Sequence, residues 1–190
     1  MKNLILVLLL SASLLTKAQT PTPIDDSNFL EAINTCLSTN PIDGMCTSSE
    51  YGAMPYWDVS SVTNMENAFN GKTGFNGDLS NWKVSNVSNM NSMFNRATSF
   101  NQDISSWNVS SATNMAFMFA EASAFNQDIS SWNVSEITDM YGIFFRSGLS
   151  ATSYDALLNG WSTQSLQRDV TLGADGLTYC DGEGARQTLI

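Results

Sequence analysis

Histidine is absent from the 190-residue sequence, cysteine occurs three times, and only 14% of the residues are charged. Without histidine the chain has no Ser-His-Asp or Cys-His nucleophile, no imidazole metal ligand and no imidazole general base. Basic residues are scarce as well: 8 Lys and Arg stand against 18 Asp and Glu, which gives a net charge of -10. Binding to a nucleic-acid backbone needs a basic stripe. We therefore expect no nucleic-acid partner.

Long apolar runs are also lacking, and the longest one stands at the N-terminus. Residues 4–10 are apolar and follow Lys2, and the small residue Ala18 comes shortly afterwards. This pattern predicts a secretory signal peptide, residues 1–18, that is cleaved after Ala18. A retained N-terminal anchor is the alternative. The run is too short to span a bilayer comfortably, so we expect no membrane span after the signal is removed.

A 25-residue repeat dominates the rest of the chain. Two consecutive copies, FNQDISSWNVSSATNMAFMF and FNQDISSWNVSEITDMYGIF, are nearly identical. Such a period predicts stacked units, each of which buries its apolar face against its neighbours. Tryptophan could instead form a row of exposed platforms for sugar rings. The predicted core columns are Trp57, Trp82, Trp107 and Trp132; Met65, Met90, Met115 and Met140; and Phe69, Phe94, Phe119 and Phe144.

The hydrophobic period changes within each unit. Trp107 and Val109 fit the period of two that is typical of a strand, whereas Ala112, Met115 and Phe119 fit the stripe of a short helix. The sequence therefore predicts an α/β fold, a leucine-rich-repeat-like right-handed solenoid of about four 25-residue strand-helix units over residues 57–149. Equivalent side chains should then lie about 4.8 Å apart along a parallel ladder.

Residues 19–56 are predicted to form an N-terminal helical cap. An amphipathic helix is expected from Ser27, as its N-cap, to Leu37, where it would cover the open apolar end of the repeats. Cys36 and Cys46 are ten residues apart in an exported chain, which predicts a disulfide. Cys180 is then free or paired elsewhere.

Residues 150–190 are predicted to form a C-terminal cap. The stripe from Tyr154 to Trp161 predicts a helix, and Asp175-Gly176 between short alternating runs predicts a hairpin. A further helix is expected near Asp181. Because its pattern is cut after two turns, we expect that the native protein continues beyond residue 190.

Polar columns accompany the apolar ones. Asp78, Asp103 and Asp128 could ligate calcium or could cap turns at the start of each unit. A uniform line of single acids lacks the asymmetric carboxylate pair that glycoside hydrolysis needs, so we predict no catalysis and no cofactor. The predicted binding face consists of the small polar residues Ser80, Lys83, Ser105, Asn108, Ser130 and Asn133.

The copies FNQDISSWNVSSATNM and FNQDISSWNVSEITDM resemble the repeats of BspA-like leucine-rich-repeat surface proteins of bacteria, in the branch with the mycoplasma-lipoprotein-type repeat. The segment LSATSYDALLNGWSTQSL is similar to what often follows those repeats. The resemblance implies a secreted or cell-surface bacterial module for adhesion or protein-protein interaction, with a protein or glycan partner. A structural spacer and a glycan-binding module are the alternatives.

Overall fold

The computed structural model describes residues 21–189. The predicted signal peptide and its cleavage site at Ala18 lie outside the described residues. Regular secondary structure within the described range is limited to helices α1 (Phe29–Thr39), α2 (Ala151–Trp161) and α3 (Glu183–Leu189) and a 3-10 turn (Met54–Tyr56). None of these helices is long and apolar enough to cross a membrane.

Helix α1 forms because its apolar residues recur on one face, and Phe29, Ile33 and Cys36 are buried there. The predicted N-cap was wrong by one residue: the helix starts after Asn28, whose side chain makes no cap hydrogen bond. Ser27 is instead part of a turn in which its N–H donates to Asp25 Oδ1 at 2.8 Å. The helix covers the core, and the Phe29 ring stands edge-on to the Trp82 indole with the ring centroids 5.8 Å apart.

The predicted disulfide between Cys36 and Cys46 is confirmed, with their Cα atoms 5.2 Å apart. It ties the end of α1 to the loop that leads to the first repeat. Cys180 is an exposed free thiol.

The predicted strand and helix of each repeat are both wrong, because no strand or helix forms in residues 57–149. At the predicted strand, Trp107 N–H donates to Ile104 O at 3.1 Å, which closes a local turn instead of a sheet ladder. The alternation still sorts the side chains correctly: Trp107 and Val109 are buried and Asn108 is exposed.

The predicted repeat helix is replaced by turn segments, which are residues 65–71, 90–96, 115–121 and 140–146. In the first of these, alternate N–H groups donate to the next unit, as when Met65 N–H donates to Asn89 O at 2.8 Å. The N–H groups between them donate three residues back, as when Ala68 N–H donates to Met65 O at 3.2 Å. In an α-helix, the N–H groups beyond the first turn would donate four residues back instead.

Left-handed backbone conformations explain why the helical pattern does not produce a helix. Each turn segment has two residues with φ between 52° and 70°, four positions apart. A right-handed helix requires negative φ throughout. These positions are Asn67 and Gly71, Ser92 and Arg96, Phe117 and Glu121, and Gly142 and Arg146.

The three apolar columns are buried, as predicted. In the Phe column, parallel rings stand 5.3 Å apart between Phe69 and Phe94 and 5.9 Å apart between Phe119 and Phe144. The Trp107 and Trp132 indoles are 6.5 Å apart and nearly parallel. These distances exceed the 4.8 Å of a continuous β-ladder. The larger spacing agrees with the backbone, in which neighbouring units form only isolated parallel β-bridges. These bridges join Asn64 to Asn89, Asn89 to Asn114 and Asn114 to Asp139.

The segment after α2 adds a fifth level to the stack. The predicted hairpin around Asp175-Gly176 is wrong: the turn is present, but the flanking residues form no strands. Instead, Gly173 O accepts from Phe144 N–H at 2.9 Å, and Asp175 O accepts from Arg146 N–H at 3.1 Å. The chain thus satisfies donors of the last turn segment that would otherwise lack a neighbouring unit.

Candidate functional site

The predicted binding face lies on one side of the stack, between successive buried Trp positions. Lys83, Asn108 and Asn133 are exposed, and the serines at positions 80, 105 and 130 are half-buried. The asparagine side chains also fold the backbone beneath them, because Asn108 Oδ1 accepts from Ser110 N–H at 3.2 Å and Asn133 Oδ1 accepts from Ser135 N–H at 3.1 Å. The face is therefore a set of capped turns that repeat at a fixed spacing.

The aspartate column caps turns in the same way. Asp103 Oδ1 accepts from Ser105 N–H at 2.9 Å, and Asp128 Oδ1 accepts from Ser130 N–H at 3.0 Å. These hydrogen bonds, from the serine side chain first and then its backbone, lower the pKa of Asp103 and Asp128. The carboxylates are exposed, so they do not raise each other's pKa as a buried line of like charges would.

The calcium interpretation of this column gains no support from the geometry. Each carboxylate serves its own turn, and within residues 21–189 no three acidic or cysteine residues group together as metal ligands would. Of the two interpretations, turn capping is the one that the hydrogen bonds match.

A second amide column links the units directly. Asn76 Oδ1 accepts from Asn101 N–H at 2.9 Å, and Asn101 Oδ1 accepts from Asn126 N–H at 2.9 Å. Asn126 Oδ1 continues the series to Ser150 N–H, just before α2. These side chains hold the register of neighbouring units at a second position of the repeat, separate from that of the parallel bridges.

Two carboxylates at the ends of the stack were missed by the sequence reasoning. Asp26 accepts from Thr63 N–H at 2.7 Å, from the Thr63 hydroxyl at 2.6 Å and from Asn64 N–H at 3.1 Å. Asp155 accepts from the N–H groups of residues 180–182 at 2.9 to 3.3 Å. Both lie outside the repeat, so no periodic signal marks them.

The tryptophan column is packed inside and is not a row of sugar platforms. Trp107 is 3% exposed, and its indole N–H donates to Leu79 O at 2.9 Å. Trp161 was missed as a fifth member: its indole N–H donates to Ile129 O at 3.2 Å, as that of Trp132 does to Ile104 O. Its 29-residue distance from Trp132 hides it from a search for a period of 25.

An exposed aromatic at the start of the repeats was also missed. Tyr56 is 78% exposed and stands between two clefts, of about 400 and 260 Å³. The larger cavity at the other end, about 740 Å³, lies under residues 162–172 against Met140 and Trp161. The signal for Tyr56 was available, because positions 81, 106 and 131 of its column hold Asn, Ser and Ser.

Comparison with known protein families assigns the repeat region to a family. Residues 42–161 match the family described as "Mycoplasma protein of unknown function, DUF285". The match covers more than half of the sequence, and the chain belongs to this family. No curated protein and no solved structure matches the chain.

Proposed function

We propose that this protein is a non-catalytic binding module, secreted or exposed at a bacterial cell surface. We further propose that its four units form a right-handed solenoid akin to that of BspA-like leucine-rich-repeat proteins. Parallel hydrogen bonds at a 25-residue register and the stacked Phe and Trp rings support this arrangement. The repeat resemblance supports the function in adhesion or protein-protein interaction.

The observation that carries the proposal is the exposed side of the capped turns. Lys83, Asn108 and Asn133 are exposed at equivalent positions of three consecutive units. At Asn108 and Asn133 the backbone is held by local hydrogen bonds. A carboxamide offers both donors and acceptors. An extended protein or glycan could therefore be bound at regular intervals with little ordering cost in the module itself.

The exported location rests on two features. The N-terminal pattern is typical of a signal peptide, and the Cys36–Cys46 disulfide suits an oxidising compartment.

The test is a binding screen of the secreted protein against extracellular-matrix proteins and glycans. Asn108→Glu combined with Asn133→Glu places two charges on the face and should abolish saturable binding. The matched control is Ser99→Glu with Ala124→Glu, two exposed positions with the same 25-residue spacing in another column. Melting curves of both variants check that the fold is intact.

Three outcomes decide the matter. Binding that the Asn108 and Asn133 variant loses, and that the control retains, supports recognition by this face. Equal loss in both variants would indicate a non-specific charge effect and contradict it. If the parent protein binds no candidate, the rival function, a structural spacer, is favoured.

A further inference from the structure

Tyr56 interrupts the repeat at an exposed position. Buried columns are uniform because stacking demands it, but nothing in the stacking demands an exposed tyrosine where the later units have Asn81, Ser106 and Ser131. The next exposed column departs in the same two units, with Asp58 and Lys83 where the later units have Asn108 and Asn133. Two neighbouring exposed columns thus lose their regularity at the same end of the stack.

These departures meet in one cleft. The cleft of about 260 Å³ is lined by Tyr56, Asp58, Asn81 and Lys83, together with Pro55 and Trp57. Tyr56 also lines the neighbouring cleft of about 400 Å³, next to residues 21–24 and 51–53. The phenol ring is therefore a ridge with a recess on each side.

The groups in the small cleft match a ring with several hydroxyls. The Asp58 carboxylate accepts hydrogen bonds, the Lys83 ammonium donates up to three, and the Asn81 carboxamide does both. Hydrogen bonds from Ser60 and the nearby charge of Lys83 lower the pKa of Asp58, so the carboxylate is ionised at neutral pH. Tyr56 adds a flat apolar face with a polar tip.

We propose that the Tyr56 ridge and its two clefts bind a neutral oligosaccharide, with one sugar ring stacked on Tyr56 and its hydroxyls bonded to Asp58, Asn81 and Lys83. The opposite charges of Asp58 and Lys83 leave the cleft with no net charge of its own. The net charge of -10 opposes the approach of anionic polysaccharides. A peptide partner would use Tyr56 as an apolar anchor but would leave the three polar side chains less fully bonded than a polyol does.

This inference rests on the proposed binding function and assigns it a ligand class and a second site. The experiment measures binding by saturation-transfer NMR and by titration. The neutral probes are cellotriose, chitotriose, maltotriose and mannotriose. A heparin oligosaccharide is the anionic probe, and a proline-rich peptide is the peptide probe. Tyr56→Ser and Lys83→Asn are the test variants, because each installs a residue that later units have at the equivalent position. Tyr141→Ala is the control, since Tyr141 is 61% exposed and the preceding unit has Ala116 there.

At least one neutral trisaccharide should bind the parent protein, with aromatic saturation transfer to its ring protons. Tyr56→Ser should weaken that binding at least tenfold, Lys83→Asn severalfold, and Tyr141→Ala not at all, with unchanged melting curves. The proposal is overturned if no neutral probe binds, if heparin or the peptide binds in preference, or if Tyr141→Ala weakens binding as much as Tyr56→Ser.

These outcomes are separate from those of the proposed function. If the parent protein binds a protein ligand that the Asn108 and Asn133 variant loses, but binds no neutral trisaccharide, the binding module stands and only the saccharide site is removed.

Discussion

Asp26 takes the place of a preceding repeat. In later units, the N–H groups of Ser88 and Asn89 donate to Thr63 O, the carbonyl of the unit before. Thr63 and Asn64 have no such unit, and the Asp26 carboxylate accepts their hydrogen bonds instead. A single side chain therefore supplies the acceptors that a preceding unit would have supplied.

Replacing Asp26 should destabilise the protein and alter its acid sensitivity. Asp26→Ala leaves the Thr63 and Asn64 donors without their acceptor, and we expect a loss of about 1 to 2 kcal/mol, reduced by solvent exposure. Burial opposes ionisation of Asp26, but the hydrogen bonds from Thr63 and Asn64 outweigh it and lower its pKa below 3.8. Urea unfolding of parent and variant measures the difference.

The pH dependence follows from the direction of that shift. A carboxyl with a lowered pKa contributes stability above its unfolded pKa, which is lost as the pH falls through the folded pKa. The stability gap between the parent and Asp26→Ala should therefore be complete at pH 6 and shrink below about pH 3.8. A gap that is constant down to about pH 2 would contradict the role given to this carboxylate.

Trp107→Ala should unfold the protein more easily instead of removing a ligand site. The indole is 3% exposed and stacked on Trp132, and truncation of such a side chain costs about 3 to 5 kcal/mol. Trp107→Phe keeps most of the apolar volume and loses the hydrogen bond to Leu79 O, so it should cost less. If Trp107→Ala melted like the parent, the buried column would be misassigned.

At the scale of elements, the turn segments replace the predicted helix of each unit. Each one shares its N–H groups between the next unit and its own turns, and two left-handed residues per segment make this division possible. Gly142 shows how tight the packing is: a Cβ there would approach the Phe117 ring to 2.6 Å.

Gly142→Ala and Gly71→Ala form a matched pair. Both glycines have positive φ, so both variants should lose about 1 kcal/mol from the strained backbone. A Cβ at Gly71 meets nothing within 4 Å, whereas at Gly142 it overlaps the Phe117 ring. The overlap should add about 1 to 3 kcal/mol to the cost of Gly142→Ala alone. Thermal unfolding that shows equal losses would argue against this contact.

The N-terminal cap should depend on its disulfide. Reduction of Cys36–Cys46 releases a ten-residue loop, and the loop-entropy estimate of its stabilisation is about 2.5 to 3 kcal/mol. The melting temperature should fall in reductant, and alkylation of the native protein should label Cys180 alone. Peptide mapping that found Cys180 bonded to Cys36 or Cys46 would overturn the assignment.

Which side of the chain faces inward could be predicted, but the elements could not. Periodicity reports which residues are buried, and it placed Trp107, Met115 and Phe119 correctly in the core. It does not report where an N–H group donates. A series of tight turns with residues such as Phe117 and Glu121 at positive φ produces nearly the same apolar spacing as a helix, and neither residue type signals that conformation.

The site was predictable in part for a similar reason. Positions that repeat, such as Asn108 and Asn133, are visible as columns and are exposed as expected. Asp26, Asp155 and Trp161 act where the repeat has ended, so their roles depend on contacts across 25 to 38 residues that no local pattern encodes.

At the scale of the whole molecule, the pairing of equivalent residues in adjacent units determines both the core and the exposed columns. Equivalent residues of adjacent units meet in the Phe column, the Asn bridges and the amide series, and the segment after α2 supplies a fifth level. The exposed columns inherit this spacing, which is why the proposed binding face is regular and why Tyr56 stands out from it. Both functional proposals depend on the register.

A crystal structure of the secreted protein tests the register most directly. It should show the parallel pairs Asn64–Asn89 and Asn89–Asn114, the rings of Phe94 and Phe119 about 5.7 Å apart, and alternate turn-segment N–H groups donating to the next unit. Rings of Phe94 and Phe119 that are not stacked on each other, or a hydrogen-bond offset different from 24 residues in the turn segments 65–71, 90–96 and 115–121, would contradict the account.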